Sequence, residues 1–278
     1  MNSYTAVFVG TDGSVTAQLA VAAASAVARA LQARLTIVTA FERGMFEDAP
    51  PTIAATFPDG IEAGMEAAWA RDVSVDAAAG ARAAGIDARQ ATVPLSPAKA
   101  LDELAGDKPG SLIVVGTRGL SEATERIVGN VPHELSHHAH SDVLMVTTTD
   151  GARTDGWQTV ALGTDGSPTA IEACRGGLAL AVALGATVTL LTAAAEQDAG
   201  EDALTRTAIA LGRDDLDGRV VITEGDPGAA VAEAGADYDM LVMGNKGMSG
   251  IRRLLGSVPN TVTHRVPTDL LLVNTTRS

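Results

Sequence analysis

Short apolar runs alternate with alanine-rich amphipathic stretches along the whole chain, and this alternation predicts most of the elements. Ala6–Val9 reads as a β-strand, Gly10-Thr11-Asp12-Gly13-Ser14 as a tight turn into a helix start, Val15–Leu31 as a helix and Arg34–Ala40 as a buried strand. Phe41–Gly60, with Glu42, Glu47, Asp48 and the pair Pro50-Pro51, reads as a long loop. A helix over Ile61–Ala84, a strand near Ala88–Val93 and a helix over Pro97–Leu104 follow. The next apolar run starts at Ser111 and breaks at Gly116.

The pattern then recurs. Gly163-Thr164-Asp165-Gly166-Ser167 repeats the first turn residue for residue, displaced by 153 positions. Val160–Leu162 precedes it, and a helix through Leu184 and a strand over Thr187–Thr192 follow. A shorter connection, Ala193–Gly200, leads to a helix over Glu201–Leu211, a strand over Gly218–Thr223 and a helix over Gly228–Ala234. At Gly116 and Gly244 the displacement is 128, so the second copy is shorter by 25 residues. Apolar strands alternating with helices predict parallel α/β sheets. The polar stretch Thr147–Gly156 separates the copies, and the domains are expected at 1–149 and 157–278 with a linker at 150–156.

Within each copy the chemistry gathers on one stretch, Ser111–Val146 in the first and Asp239–Val273 in the second. Each opens with an apolar strand ending in glycine, adds a second glycine three positions on, and reaches a Gly-polar-Val-Pro step into a helix. Backbone N–H groups at such a strand end and helix start can hold phosphate. If the first and fourth strands are neighbours, Asp12 faces the crevice at Gly116, and Asp165 the crevice at Gly244. There a carboxylate would meet a ribose or a phosphate-bound Mg²⁺. The same turn also fits a helix-capping Asp-Gly step, and Ser14 and Ser167 read as caps. No P-loop, dinucleotide fingerprint or nucleophile elbow is present.

Composition narrows the partners. The chain of 278 residues has 46% hydrophobic residues but only 3% aromatic, so its cores must be built from Ala, Val, Leu and Ile. A net charge of −14 argues against a nucleic-acid or anionic-membrane surface. The cations Arg118, Arg126, Lys246, Arg252 and Arg253 nevertheless cluster around the glycine stretches. One cysteine, Cys174, excludes an intrachain disulfide and reads as a packed small residue. With no leader and no bilayer-length apolar run, a cytoplasmic chain is expected. His133, His137 and His140 fall at helical spacing with His138 beside them. Asn260, His264 and Pro267 stand at the matching places, so only the His137/His264 pair repeats. A polar helix face or inter-domain contact is expected there, rather than a metal site.

The repeated Gly-Thr-Asp-Gly-Ser turn and the pattern G-x2-G-x9-G-[ST] resemble the universal stress protein family, as a tandem of two domains covering essentially the whole chain. The resemblance implies a Rossmann-like parallel sheet of order 3-2-1-4-5 in each half. The last strands, Val143–Val146 and Leu270–Val273, would pair to form an intrachain pseudo-dimer. By the same resemblance, adenine nucleotide (ATP or AMP, with or without Mg²⁺ near Asp12 and Asp165) would contact Thr11, Asp12, Thr39, Ala40, Val115, Gly116, Arg118, Gly119, Gly129, Asn130 and Val131. In the second half the matching residues are Thr164, Asp165, Thr192, Ala193, Met243, Gly244, Lys246, Gly247, Gly256, Ser257 and Val258. Both copies depart from the pattern: Asn130 replaces Ser or Thr, and only eight residues separate Gly247 from Gly256. The implied function is stress-response regulation through a nucleotide-dependent signalling module, with no catalytic residue assigned. The alternatives are an interaction module that has lost nucleotide binding and a slow Mg²⁺-dependent nucleotide hydrolase. A protein partner is expected without being identified, and a homodimer is left open.

Overall fold

The computed structural model describes residues 4–42, 64–106, 110–117, 130–148, 156–245 and 257–276. In the first half the elements are β1 (Ala6–Gly10), α1 (Val15–Leu31), β2 (Arg34–Ala40), α2 (Met65–Ala83), β3 (Ala88–Val93), α3 (Pro97–Ala105), β4 (Ser111–Gly116), α4 (Asn130–His138) and β5 (Asp142–Val146). In the second they are β6 (Thr159–Gly163), α5 (Pro168–Leu184), β7 (Thr187–Ala194), α6 (Gln197–Leu211), β8 (Asp217–Ile222), α7 (Pro227–Gly235), β9 (Met240–Gly244), α8 (Ser257–Arg265) and β10 (Asp269–Val273). Most of the predicted loop Phe41–Gly60 lies outside the described residues.

All ten strands join one sheet in the order β3-β2-β1-β4-β5-β10-β9-β6-β7-β8. Each half therefore has the expected 3-2-1-4-5 order. Every pairing is parallel except β5 with β10, which run antiparallel in the register Met145↔Leu270, Leu144↔Leu271 and Val143↔Leu272. That single antiparallel seam puts the carboxyl ends of the first half's strands on one edge and those of the second half's on the opposite edge.

The helices form a layer on each face. One core packs α1, α2, α5 and α6 against the sheet through Ala24, Val27, Ala78, Cys174, Leu180 and their neighbours. The other packs α3, α4, α7 and α8 through Leu101, Leu135, Val231 and Val262. Both cores include β5 and β10 residues, so the buried apolar surface runs through the seam without a break. Small helix residues let the layers approach closely. A Cβ at Gly177 of α5 would lie 2.5 Å from Val242 Cγ1 of β9.

One connection differs from the sequence pattern. Ala193–Gly200 is not a loop: β7 continues to Ala194, which pairs with Ile222, and α6 already begins at Gln197. Gly200, the last residue of that expected connection, is a buried helical residue whose Cβ would stand 2.4 Å from Val220 Cγ1. Close helix–strand packing, not a turn, explains this glycine.

Candidate functional site

The turn after the first strand closes identically in both halves. Thr11 N–H donates to Val38 O and Thr164 N–H to Leu191 O, each at 2.9 Å, tying the turn to the strand beside it. Ser14 N–H donates to Asp12 Oδ1 at 3.0 Å, and Ser167 N–H to Asp165 Oδ1 at 2.9 Å. The Ser14 hydroxyl accepts from Ala17 N–H at 3.1 Å and the Ser167 hydroxyl from Ala170 N–H at 3.3 Å, so both serines are N-caps. Gly13 (φ +79°) and Gly166 (φ +73°) take the left-handed conformation that this turn requires. Closing the turn thus occupies one carboxylate oxygen each of Asp12 and Asp165. The second oxygen is not used by the turn.

Sheet register sets the crevice. Val9 lies beside Val114 and Leu162 beside Val242, so two residues further on Thr11 comes level with Gly116 and Thr164 with Gly244. Here α1 leaves β1 toward one face and α4 follows β4 on the other, the arrangement at whose strand ends ligands bind in open α/β sheets. Asn130 and Ser257 are the first residues of α4 and α8. Their exposed positions at helix N-termini suit an anion. Val131 and Val258 pack partly into the core behind them.

The remaining predicted positions divide between the faces. Val115 and Met243 join the core under α3, α4, α7 and α8. Thr39 and Thr192 share the opposite face with Ile37 and Leu190, and both are almost fully buried. The Thr39 hydroxyl has no hydrogen-bond partner there. Ala40 and Ala193 are half-buried strand-end residues. The Thr164 hydroxyl accepts from Gly166 N–H at 3.0 Å within the turn and lies 2.8 Å from the Thr207 hydroxyl on α6. Arg118, Gly119, Gly129, Lys246, Gly247 and Gly256 lie outside the described residues. The strand ends, helix starts and aspartates that remain offer amide donors and a carboxylate, a set that fits a nucleotide with or without Mg²⁺.

Two aspartates outside the predicted site organise the seam. Asp142 accepts from Tyr4 Oη and from the Asn274 backbone N–H, both at 2.8 Å. Asp269 accepts from Trp157 Nε1 at 2.8 Å and from the Thr147 backbone N–H at 2.7 Å. Their signal in the sequence is the repeated hydroxyl-Asp pair, Ser141-Asp142 and Thr268-Asp269. The histidines also meet at the seam. His133 and His137 rings are 4.8 Å apart, and His133 lies 5.8 Å from His264 of the other half, an inter-domain contact as expected. Burial, then the neighbouring His133, His138 and His264, hold His137 below its ordinary pKa. His140 is oriented separately, with Nδ1 2.8 Å from Asp102 Oδ2. Among the described residues no group of three or more His, Cys, Asp or Glu is arranged to hold a metal ion. Cys174 is fully buried, donates weakly to Gly163 O, and has its thiol pushed up to about 12 by burial. No helix of the described residues is long and apolar enough to cross a membrane.

Comparison with known proteins agrees with this architecture. The model of the Universal stress protein family matches residues 3–147 and again 156–274. A universal stress protein of Mycobacterium tuberculosis strain H37Rv is 35% identical over 150 residues, all of that protein and 54% of this chain. The crystal structure of a universal stress protein from Archaeoglobus fulgidus superposes with a TM-score of 0.71 at 17% identity, covering 99% of each chain. A putative universal stress protein from Pseudomonas aeruginosa gives 0.69 at 16% identity, covering 98% of this chain and 94% of that one.

Proposed function

The chain belongs to the universal stress protein family, and from that premise we propose that each half binds an adenine nucleotide at its strand-end crevice and signals its occupancy to a protein partner. The observation that carries this reading is the duplicated turn. Asp12 and Asp165 each spend one carboxylate oxygen on closing it, at the level where Gly116 and Gly244 end the neighbouring strands. The remaining oxygen suits a ribose hydroxyl, or a Mg²⁺ held between carboxylate and phosphate. The α4 and α8 N-termini supply amide donors for phosphate. ATP or AMP is the ligand class, and the two domains, 1–149 and 157–278, each carry one site.

Native mass spectrometry of freshly purified protein tests the reading. Two adenine nucleotides per chain are expected, or two taken up on adding ATP with Mg²⁺. Asp12→Ala and Asp165→Ala should each remove one. No nucleotide on the purified chain, and none taken up, overturns the proposal and favours an interaction module. The one-residue deletion between Gly247 and Gly256 is the specific feature that would favour that second reading for the second half.

A further inference from the structure

The two crevices are built differently at the strand that flanks them. In the second half, Asn245 directly follows the Gly244 strand end, and its Oδ1 accepts from Thr275 N–H at 3.1 Å and from Thr275 Oγ1 at 3.3 Å. Asn245 Nδ2 donates to Asn274 Oδ1 at 3.4 Å. Asn274 then reaches across the seam. Its Nδ2 donates to Ala139 O at 3.1 Å and to His140 O at 3.0 Å, while its backbone N–H donates to Asp142. The antiparallel pairing of β5 and β10 makes this possible, because it sets the carboxyl edge of the second half beside the amino end of β5. Two consecutive steps thus lead from the residue after Gly244 into the first half, Asn245 to Asn274 and Asn274 to the Ala139–Asp142 segment.

The matching residues of the first half are Thr117, Thr147 and Thr148, found by the same offsets that align Gly116 with Gly244 and Asp142 with Asp269. The backbone bond to the aspartate is kept, from Thr147 N–H to Asp269. The amide chain is not, because threonine has no carboxamide. Its loss leaves a trace: Thr148 Oγ1, the counterpart of the Thr275 hydroxyl that Asn245 satisfies, is buried without a hydrogen-bond partner.

We propose that occupancy of the second crevice is coupled to the first half through Asn245 and Asn274, whereas among the described residues the first crevice has no corresponding side-chain amide link to the second half. The proposal rests on the nucleotide reading given above and adds direction to it. A ligand at the Gly244 strand end shifts or fixes Asn245, and Asn274 passes that change to the Ala139–Asp142 segment. Coupling is reciprocal, so loosening that segment weakens binding in the second crevice.

The test uses the full chain stripped of nucleotide, with hydrogen exchange of the 137–143 segment and calorimetric titration with ATP and Mg²⁺. Saturating ATP is expected to raise protection of residues 139–142 in the native chain. In Asn274→Thr, which copies the first half, that gain should fall by half or more. One of the two binding steps should weaken about fivefold, with the other unchanged. Asn245→Thr, farther from the core, should reproduce both effects and guards against a folding defect in the first variant. Unchanged protection in the native chain on saturation, or an equal gain in both variants, overturns the coupling while leaving the nucleotide reading intact. Uptake that Gly116→Val abolishes and Gly244→Val leaves untouched, showing the second crevice empty, also overturns it. No uptake at either crevice overturns the nucleotide reading and the coupling together.

Discussion

Asp142 and Asp269 hold equivalent places at the starts of β5 and β10, and each accepts one hydrogen bond from its own half and one from the other. Tyr4 and Trp157 are the matching aromatic donors, displaced by the same 153 residues as the two turns. Both carboxylates are buried, at 5% and 7% exposure, so their donors have no water to replace a lost acceptor.

Removing one of these acceptors should loosen the seam. Asp269→Ala leaves the Trp157 indole N–H and the Thr147 N–H unpaired in a buried place, and is expected to cost about 3 kcal/mol. Asp269→Asn keeps an acceptor oxygen and should cost less. Urea unfolding monitored by far-ultraviolet circular dichroism reads both. A midpoint unchanged in the alanine variant would mean that the carboxylate does not hold the halves together.

Glycines in helices should sort by what lies above them. Gly177→Ala puts a methyl 2.5 Å from Val242 Cγ1 and 2.8 Å from Leu162 Cδ2, both in the buried sheet. Overpacking of this kind costs about 1–3 kcal/mol. Gly80 in α2 has nothing within 4 Å of the place a Cβ would take, and its replacement by alanine should stabilise by about 0.5–1 kcal/mol. Thermal unfolding of the pair should show shifts of opposite sign.

Cys174 should be chemically silent in the folded chain. Burial raises its thiol to about 12, above its ordinary range. Stability linked to the neutral thiol is therefore complete below the ordinary range and is lost as pH rises toward 12. An aromatic disulfide reagent at about pH 8 is expected to leave the native protein unmodified and to titrate one thiol in denaturant. Rapid stoichiometric labelling without denaturant would show that α5 opens readily.

The internal repeat made much of this molecule legible. The identical turns and the paired apolar runs led to the elements and their duplication, because parallel strands buried on both faces leave strong apolar signatures. The strand order and the β5–β10 pairing followed only from the family resemblance that those motifs carry. The cap at Ser14 was plain, since a serine at a helix start commonly accepts from the first turn's N–H groups. Asp12 read equally as part of a capping turn and as a ligand, and its Oδ1 does close the turn. The Ala193–Gly200 connection was drawn too long because a helical glycine that admits a close strand, such as Gly200, carries no helix signal of its own. The Asn245–Asn274 chain was invisible for a different reason. It depends on which ends an antiparallel seam brings together, and no local pattern encodes that. Thr39 is a site residue only by the family resemblance, and the strand alternation places its side chain on the buried face it shares with Ile37.

The histidines at the seam give the last expectation. His137 is held below its ordinary pKa, first by burial and then by His133, His138 and His264. A depressed value means that the folded state prefers the neutral ring, while the unfolded chain takes up its proton near about pH 6.5. This stability is thus complete above about pH 6.5 and is lost as pH falls through the lowered value. Glu134 on the same helix and Arg265 beside His264 bring one charge of each sign to the neighbourhood. His137→Gln keeps a polar side chain but cannot take up a proton. Melting temperatures measured from about pH 7.5 to about pH 5.0 should fall less steeply for this variant than for the native chain, with the curves converging at the upper end. Parallel curves across the range would mean that the ring is free to charge in the folded state and that the His133–His264 contact across the halves does not respond to pH.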